Sequence, residues 1–297
     1  MKLSGSFLSI ILSGLLVFML PHNILSQADS SNNPSDSQVT KDPPAGSRHS
    51  LFTGLGYGSN MIWLGSTISQ NQPFGYGALT YGFNNELYVT LSAVHLSGTD
   101  PFLAFFTGSL NYNHVFNKWF DISAGLNRYQ VATTLPDTLF GSFTYADFTM
   151  GFDWKLIYTK ISLGGLMSYD SQLYLQLRNS RYFQTPDFFK GKVNISFDPY
   201  VNLLMGTFTQ AETTTGPPVV IFPPFRNWRT TDGQNSTTTY TRRFGMLDID
   251  MGLPIALNTD FMTIEAEAGY VFPVYKDSGY SRPEGFVFLL SVYFRIF

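Results

Sequence analysis

Three groups of residues in this 297-residue chain have side chains and spacings that could do chemistry. The first is His95-Leu96-Ser97, an imidazole two residues from a hydroxyl. On a strand both would point the same way, and a histidine base could activate such a serine against an ester. The second group is charged: Asp121, Asp147, Asp153, Lys155, Asp198, Asp248, Asp250, Glu265, Glu267 and Arg295. The third is the stretch 210–238, where Pro217-Pro218-Val219-Val220-Ile221-Phe222-Pro223-Pro224-Phe225 precedes Arg226, Trp228 and Arg229. Other chemistries find no support. The chain has no cysteine, which removes disulfides, thiolate metal sites and a cysteine nucleophile. His49, His95 and His114 lack metal-ligand spacing, and no phosphate loop, nucleophile elbow or EF-hand is present. No cofactor is expected. A net charge of −3 with no basic run gives no reason to expect nucleic acid as a partner.

The elements that must position these residues are strands. Charged residues are 13% of the chain, about half the roughly 25% usual in soluble domains, while aromatics reach 16%. After residue 50 the dominant period is two. Leu247, Ile249, Met251, Leu253 and Ile255 alternate with Asp248, Asp250, Gly252 and Pro254. Ile264, Ala266, Ala268, Tyr270 and Phe272 oppose Thr263, Glu265, Glu267 and Gly269. Phe148, Met150, Phe152, Trp154, Leu156 and Tyr158 alternate with Asp147, Thr149, Gly151, Asp153 and Lys155. In 193–205, Val193, Ile195, Phe197, Val201, Leu203 and Met205 alternate with Asn194, Ser196, Asp198, Tyr200 and Asn202. A helix would scatter these charges around its surface, whereas a strand sorts them onto one face. Many of the segments exceed the roughly 5 or 6 residues of a sandwich strand and reach the 9 to 11 or so that cross a bilayer.

Strands are expected at 51–69, 74–83, 86–96, 102–116, 119–132, 141–157, 160–169, 172–183, 190–209, 239–257, 260–274 and 285–297. Twelve is an even number, as bacterial membrane barrels require. This layout puts the short links Asn84-Asn85, Asn117-Lys118, Tyr158-Thr159 and Asn258-Thr259 on the side of both chain ends, and 210–238 on the other. Splitting 51–69 into a hairpin and fusing 160–183 also gives twelve, but turns most short links the other way. Residues directly opposite share a face, so the link between 247–255 and 264–272 must be even. The tightest choice, Asn258-Thr259, sets Asp250 opposite Glu267, where the carboxylates should repel. Glu265 and Arg295, near one end of neighbouring strands, could pair. Phe83, Trp119, Phe120 and Tyr158 suit an interfacial girdle.

Residues 1–26 read as a secretory signal peptide, with Lys2, an apolar run from Phe7 to Leu20, and small residues at Ser26 and Ala28. The run of about 14 residues is short of the roughly 20 that span a bilayer. Residues 27–50 are polar and proline-bearing, a composition that cannot bury a core and fits a periplasmic leader. The barrel proper is assigned to 51–297.

The final residues Val292-Tyr293-Phe294-Arg295-Ile296-Phe297 resemble the C-terminal assembly signal of Gram-negative outer-membrane β-barrels, in which an alternating last strand ends in Phe. The resemblance implies an all-β, transmembrane antiparallel up-and-down barrel of about 12 strands. It also implies outer-membrane lipids and the barrel-assembly machinery as partners, with both termini periplasmic. Tyr293, Phe294 and Phe297 would carry the signal. The departure is one of phase: Phe286, Phe288, Leu290, Val292, Phe294 and Ile296 form the apolar face, and Phe297 falls opposite. His95 and Ser97 are similar to the His-x-Ser pair of outer-membrane phospholipase A and the lipid A deacylase barrel, where an Asn or Glu on the next strand orients the histidine. Here Gly98 follows Ser97 where the phospholipase has Asn. The next strand's outward residues are Phe106, Gly108, Leu110 and Tyr112, with Asn111 and Asn113 inward. Without a third group the imidazole is poorly held.

The leading expectation is a passive channel or small-solute transporter, with Asp121, Asp153, Lys155, Asp198, Asp248, Asp250, Glu265, Glu267 and Arg295 lining the lumen. The alternatives are a closed barrel serving as scaffold or accessory subunit of an envelope complex, and a lipid-active hydrolase. The stretch 210–238 could fold into the mouth, dock an envelope partner, or pack on its own barrel. Its prolines should keep it out of the sheet.

Overall fold

A computed structural model describes residues 48–132, 141–167, 172–189, 191–213, 219–221, 238–274 and 284–297. The signal peptide and most of the leader lie outside the described residues, as does most of 210–238. Twelve long strands form the wall. They are β1 His49–Gly58, β2 Phe74–Phe83, β3 Leu87–Leu96, β4 Phe105–Asn117, β5 Phe120–Val131 and β6 Phe143–Asp153. The remainder are β7 Tyr158–Met167, β8 Gln172–Ser180, β9 Tyr200–Thr213, β10 Thr238–Thr259, β11 Met262–Pro273 and β12 Gly285–Arg295. Each pairs antiparallel with its chain neighbours, and β12 returns to pair with β1. The sheet is thus a closed up-and-down barrel, and its first strand begins at His49, just inside the expected leader.

Both ends of the barrel sequence share one rim, the turn end, with the links 84–86, 118–119, 154–157 and 260–261. Asn84 and Asn85 both take positive φ, 54° and 57°, the left-handed geometry of a tight hairpin turn that asparagine tolerates. At this rim β8 and β9 are prolonged past short breaks by Phe183–Gln184 and Val193–Phe197. The break in β9 falls at Asp198-Pro199, beside Pro254 of β10. Prolines cannot donate to the ladder.

Alternation sorts side chains as expected. Leu91, Leu126, Phe148, Leu253 and Phe288 are exposed on the outside, while Thr90, Asn127, Thr149 and Ser291 are buried inside. Near the turn end the outer face carries a run of rings. Phe116 stacks on Phe120 at 5.5 Å, Phe120 meets Phe152 at 5.3 Å, and Phe152 stacks on Trp154 at 6.0 Å. Such a belt marks a membrane interface.

Five expectations need correction. The stretch 51–69 is not one strand: β1 ends at Gly58, and beyond Ser59, which still bonds Phe288, the chain leaves the wall until Pro73. The β6–β7 turn comes early, at 154–157, so Tyr158 is not a girdle residue but starts β7 and points inward. The β10–β11 turn is Asp260-Phe261, held by Thr259 Oγ1, which accepts from Met262 N at 2.9 Å. The link is even, but lies two residues further on, so Asp250 faces Val271 and Glu267 faces Pro254. Finally, Val219–Ile221 does join the sheet, pairing with Thr209, Gln210 and Ala211, because the prolines of that stretch flank these three residues and leave their own N–H groups intact.

A β-bulge also interrupts β9–β10, where Leu204 pairs with Asp248 but Met205 pairs with Met246. The extra residue flips the phase. Leu247, expected on the outside, is buried inside at 2% exposure.

Candidate functional site: the lumen

The lumen divides into two halves. In the loop half, 59–73 folds back into the barrel as a miniature hairpin, Ile62–Trp63 paired with Ser66–Thr67. Leu64 and Gly65 make its turn with φ of 46° and 78°. A side chain at Gly65 would begin 2.8 Å from Asp248 Oδ2, so close approach as well as conformation calls for glycine. Polar side chains tie the hairpin to its own base. Asn60 Oδ1 accepts from Thr67 Oγ1 at 2.6 Å and from Ser69 Oγ at 2.9 Å, and Asn60 Nδ2 donates to Asn71 Oδ1 at 2.7 Å. Ser69 Oγ accepts from Met61 N at 2.9 Å.

The hairpin's apolar side chains are seated among rings from the wall. Trp63 is only 4% exposed. It lies edge-on to Tyr129 and Tyr145 at 5.4 Å and against Phe143 at 4.8 Å. Met61, Leu64 and Ile68 share one buried cluster with Phe105, Leu166, Leu204, Phe208 and Leu247, drawn from strands around the circumference. Burying four such side chains contributes roughly 1.5–3 kcal/mol each.

The turn half is polar and cross-linked. Tyr158 Oη donates to Asp121 Oδ2 at 2.6 Å, and at mid-barrel, where the two halves meet, Asn127 Nδ2 donates to Asp147 Oδ1 at 2.9 Å. Tyr200 Oη donates to Glu267 Oε1 at 2.6 Å, and Asn202 Nδ2 to Asp250 Oδ2 at 2.6 Å. From the loop half Tyr76 reaches down to this layer, its Oη 3.0 Å from both Ser291 Oγ and Tyr293 Oη. The Arg178 guanidinium rests 3.7 Å over the Tyr200 ring, with Asp198 at 3.9 Å. Tyr200 reaches this position because it lies across Gly252, where a Cβ would sit 2.6 Å from the ring.

Of the residues expected in the lumen, the structure brings Asp198, Asp248, Asp250, Glu265 and Glu267 inside, with Asp121 beneath Tyr158. Asp153 closes β6 at the rim and accepts from Lys155 N at 2.7 Å. Two assignments are corrected. Lys155 does not line the lumen: it occupies the 154–157 turn with φ of 68° and is exposed. Arg295 ends β12 at the rim, also exposed. Glu265 pairs with Ser291, four residues short of Arg295, or roughly 13 Å at about 3.3 Å per residue. Sequence reasoning passed over Arg178, Lys160 and the hairpin. Arg178 was findable: Gln172, Tyr174, Gln176 and Arg178 alternate with Leu173, Leu175 and Leu177.

His95 does face outward, as its phase required. Its Nδ1 is 2.6 Å from the Phe102 carbonyl oxygen, and its ring stacks on Phe102 at 4.4 Å. Ser97 N donates to Pro73 O, and among the described residues no hydrogen bond joins Ser97 to His95. The final strand places Phe294 outside, while Tyr293 turns in towards Tyr76. Phe297 lies past the strand's last residue and is exposed.

A closed antiparallel barrel leaves no sheet edge, and its large apolar side chains face out, so its outer surface suits a hydrocarbon phase. These features define a transmembrane β-barrel of the outer-membrane type. No family model and no curated protein matches the chain. Solved barrels resemble it in architecture at low identity. LpxR from Salmonella typhimurium shares 5% identity at a TM-score of 0.44, covering 82% of this chain and 99% of that one. A bacterial polysaccharide outer membrane secretin shares 10% at 0.42, covering 84% and 98%. The beta domain of the Bordetella autotransporter BrkA shares 10% at 0.33, covering 84% and 99%. Likeness at this level bears on neither substrate nor activity.

Proposed function

We propose that this protein is a closed outer-membrane barrel, a scaffold or accessory component of the envelope, and that it does not pass solutes by free diffusion. The observation that carries this reading is the seat of Trp63 among Tyr129, Phe143 and Tyr145. A water-filled channel would need its walls wetted, yet the loop half presents a dry aromatic cluster that the hairpin completes. The polar side chains below it support the same reading, because the carboxylates of Asp121, Asp147, Asp250 and Glu267 are engaged by Tyr158, Asn127, Asn202 and Tyr200. The hydrolase reading gains no support from His95, whose oriented nitrogen faces a backbone carbonyl of its own loop. Planar-bilayer recording on the folded barrel tests the proposal. Silence at moderate voltage is expected, and a steady ohmic current from the intact chain would overturn it.

A further inference from the structure

Among the residues of β1 to β8, Arg128 of β5 is the only Asp, Glu, Lys or Arg that alternation turns outward, since Asp121, Asp147, Asp153, Lys160 and Arg178 share the inward phase. Its neighbours fix that phase: Leu126 is exposed, while Asn127 and Tyr129 are buried. Arg128 stands eight residues beyond Phe120 of the turn-end belt. That is about 26 Å along the strand at about 3.3 Å per residue, or roughly 20 Å in height at a tilt of about 40°. It therefore lies near the loop-side limit of an apolar band about 25 Å tall, a depth at which a lipid-facing arginine is tolerated.

Its partners leave a cluster of donors. Arg128 Nη1 donates to Thr144 Oγ1 at 3.1 Å, and Nη2 donates to Gln130 Oε1 at 3.4 Å. A hydroxyl that accepts keeps its own hydrogen, and an amide that accepts at oxygen keeps both N–H groups. The guanidinium has five N–H groups, and these two bonds do not exhaust them. The three side chains thus present donors to the bilayer, and among the described residues no carboxylate pairs with Arg128. One step towards the turn end the wall dips. Leu126, Ala146, Gly165 and Leu173 lie side by side across four strands. Leu126 and Leu173 stand proud, while a Cβ at Gly165 would meet nothing nearer than 3.8 Å. Ala146 and Gly165 therefore floor a shallow apolar channel between two leucines.

We infer that Arg128, Gln130 and Thr144 bind the phosphate of a membrane lipid in the leaflet at the loop rim, with an acyl chain of that lipid lying over Ala146 and Gly165. A phosphate suits the donors because its ionised oxygens accept, and a guanidinium grips two of them at once. A lipid suits the position better than a free anion, because the apolar channel begins where the donors end and both face the bilayer. The site is on the outer wall, so the inference goes beyond the closed-barrel reading and does not depend on the state of the lumen.

Native mass spectrometry of the folded, detergent-solubilised chain titrated with dipalmitoyl phosphatidic acid tests it. One retained lipid per barrel is expected. Dipalmitoylglycerol, with the same chains and no phosphate, should bind at least tenfold more weakly, and inorganic phosphate at the same concentration should not displace the lipid. Arg128→Gln should weaken phosphatidic acid binding at least tenfold, whereas Lys118→Gln, exposed at the turn rim, should leave it unchanged. Gly165→Leu, which fills the channel, should weaken it at least threefold. Should a variant fail to fold, the lipid pair and the phosphate competition on the wild-type chain decide alone. Equal binding of the two lipids overturns the site, as does wild-type binding by Arg128→Gln or an equal loss from Lys118→Gln. Displacement by inorganic phosphate, or wild-type binding by Gly165→Leu, overturns the assignment to a lipid.

Discussion

The two halves of the lumen are filled by opposite means. The loop half is filled by a segment that belongs to no wall strand, and its seat is apolar. The turn half is filled by the wall's own side chains, long polar groups reaching across to one another. An apolar seat gains energy in proportion to the area it buries, so it tolerates imprecise geometry but depends heavily on each large ring. A polar lattice depends on distances and angles, and each link is worth about 1–2 kcal/mol net. The first half should therefore break at single large residues and the second should erode link by link.

The largest expected effect is on the seat. Replacing 60–72 with a flexible Gly-Ser linker should turn a silent barrel into one that passes current in planar bilayers, because the dry cluster loses its central member. Trp63→Ala is smaller in extent but severe. It should cost about 3–5 kcal/mol, read as a lower urea midpoint for the micelle- or vesicle-bound barrel. Stability equal to wild type would show that the hairpin does not hold the loop half together.

In the polar half, Gly252→Val should push aside the Tyr200 ring and cost about 1–3 kcal/mol through overpacking, together with the Arg178 stack and the bond to Glu267. The same denaturant titration checks it. Tyr158→Phe removes only the bond to Asp121 and should cost about 1–2 kcal/mol. If it cost as much as Trp63→Ala, the contrast between the halves would fail. The smallest effect belongs outside both. At the turn-end rim His114 Nδ1 meets Glu86 Oε1 at 2.7 Å, both partly exposed, and Glu86→Gln should change stability by less than about 1 kcal/mol.

Much of the wall was legible because one residue in two must face hydrocarbon. That rule gave twelve strands and placed Phe148, Leu253 and Phe288 outside. It failed where alternation persists without belonging to the wall. Met61 and Trp63 continue the rhythm of β1, yet the chain has already turned inward after Ser59, and Leu64-Gly65 is not among the dipeptides that announce a hairpin. It failed again at Leu247, since a bulge changes phase without any residue type to mark it. The acids of the site were readable as a polar face, but their partners were not. Asn202 meets Asp250, and Tyr200 meets Glu267, through cross-strand geometry that spacing along one strand does not encode. The two-residue displacement of the β10–β11 turn was enough to misplace every facing pair.

Barrel closure has a kinetic consequence. Leu51 N donates to the Phe297 carbonyl, and Ile296 N donates back to Leu51 O, so the two wall strands farthest apart in the chain are the ones that zip together last. Every other seam joins neighbours across a connection and can form locally, whereas this one must wait for all the rest. Until the seam closes, β1 and β12 each present an unpaired edge. During that interval the molecule is most open to capture by another strand, whether a helper's or a second copy's.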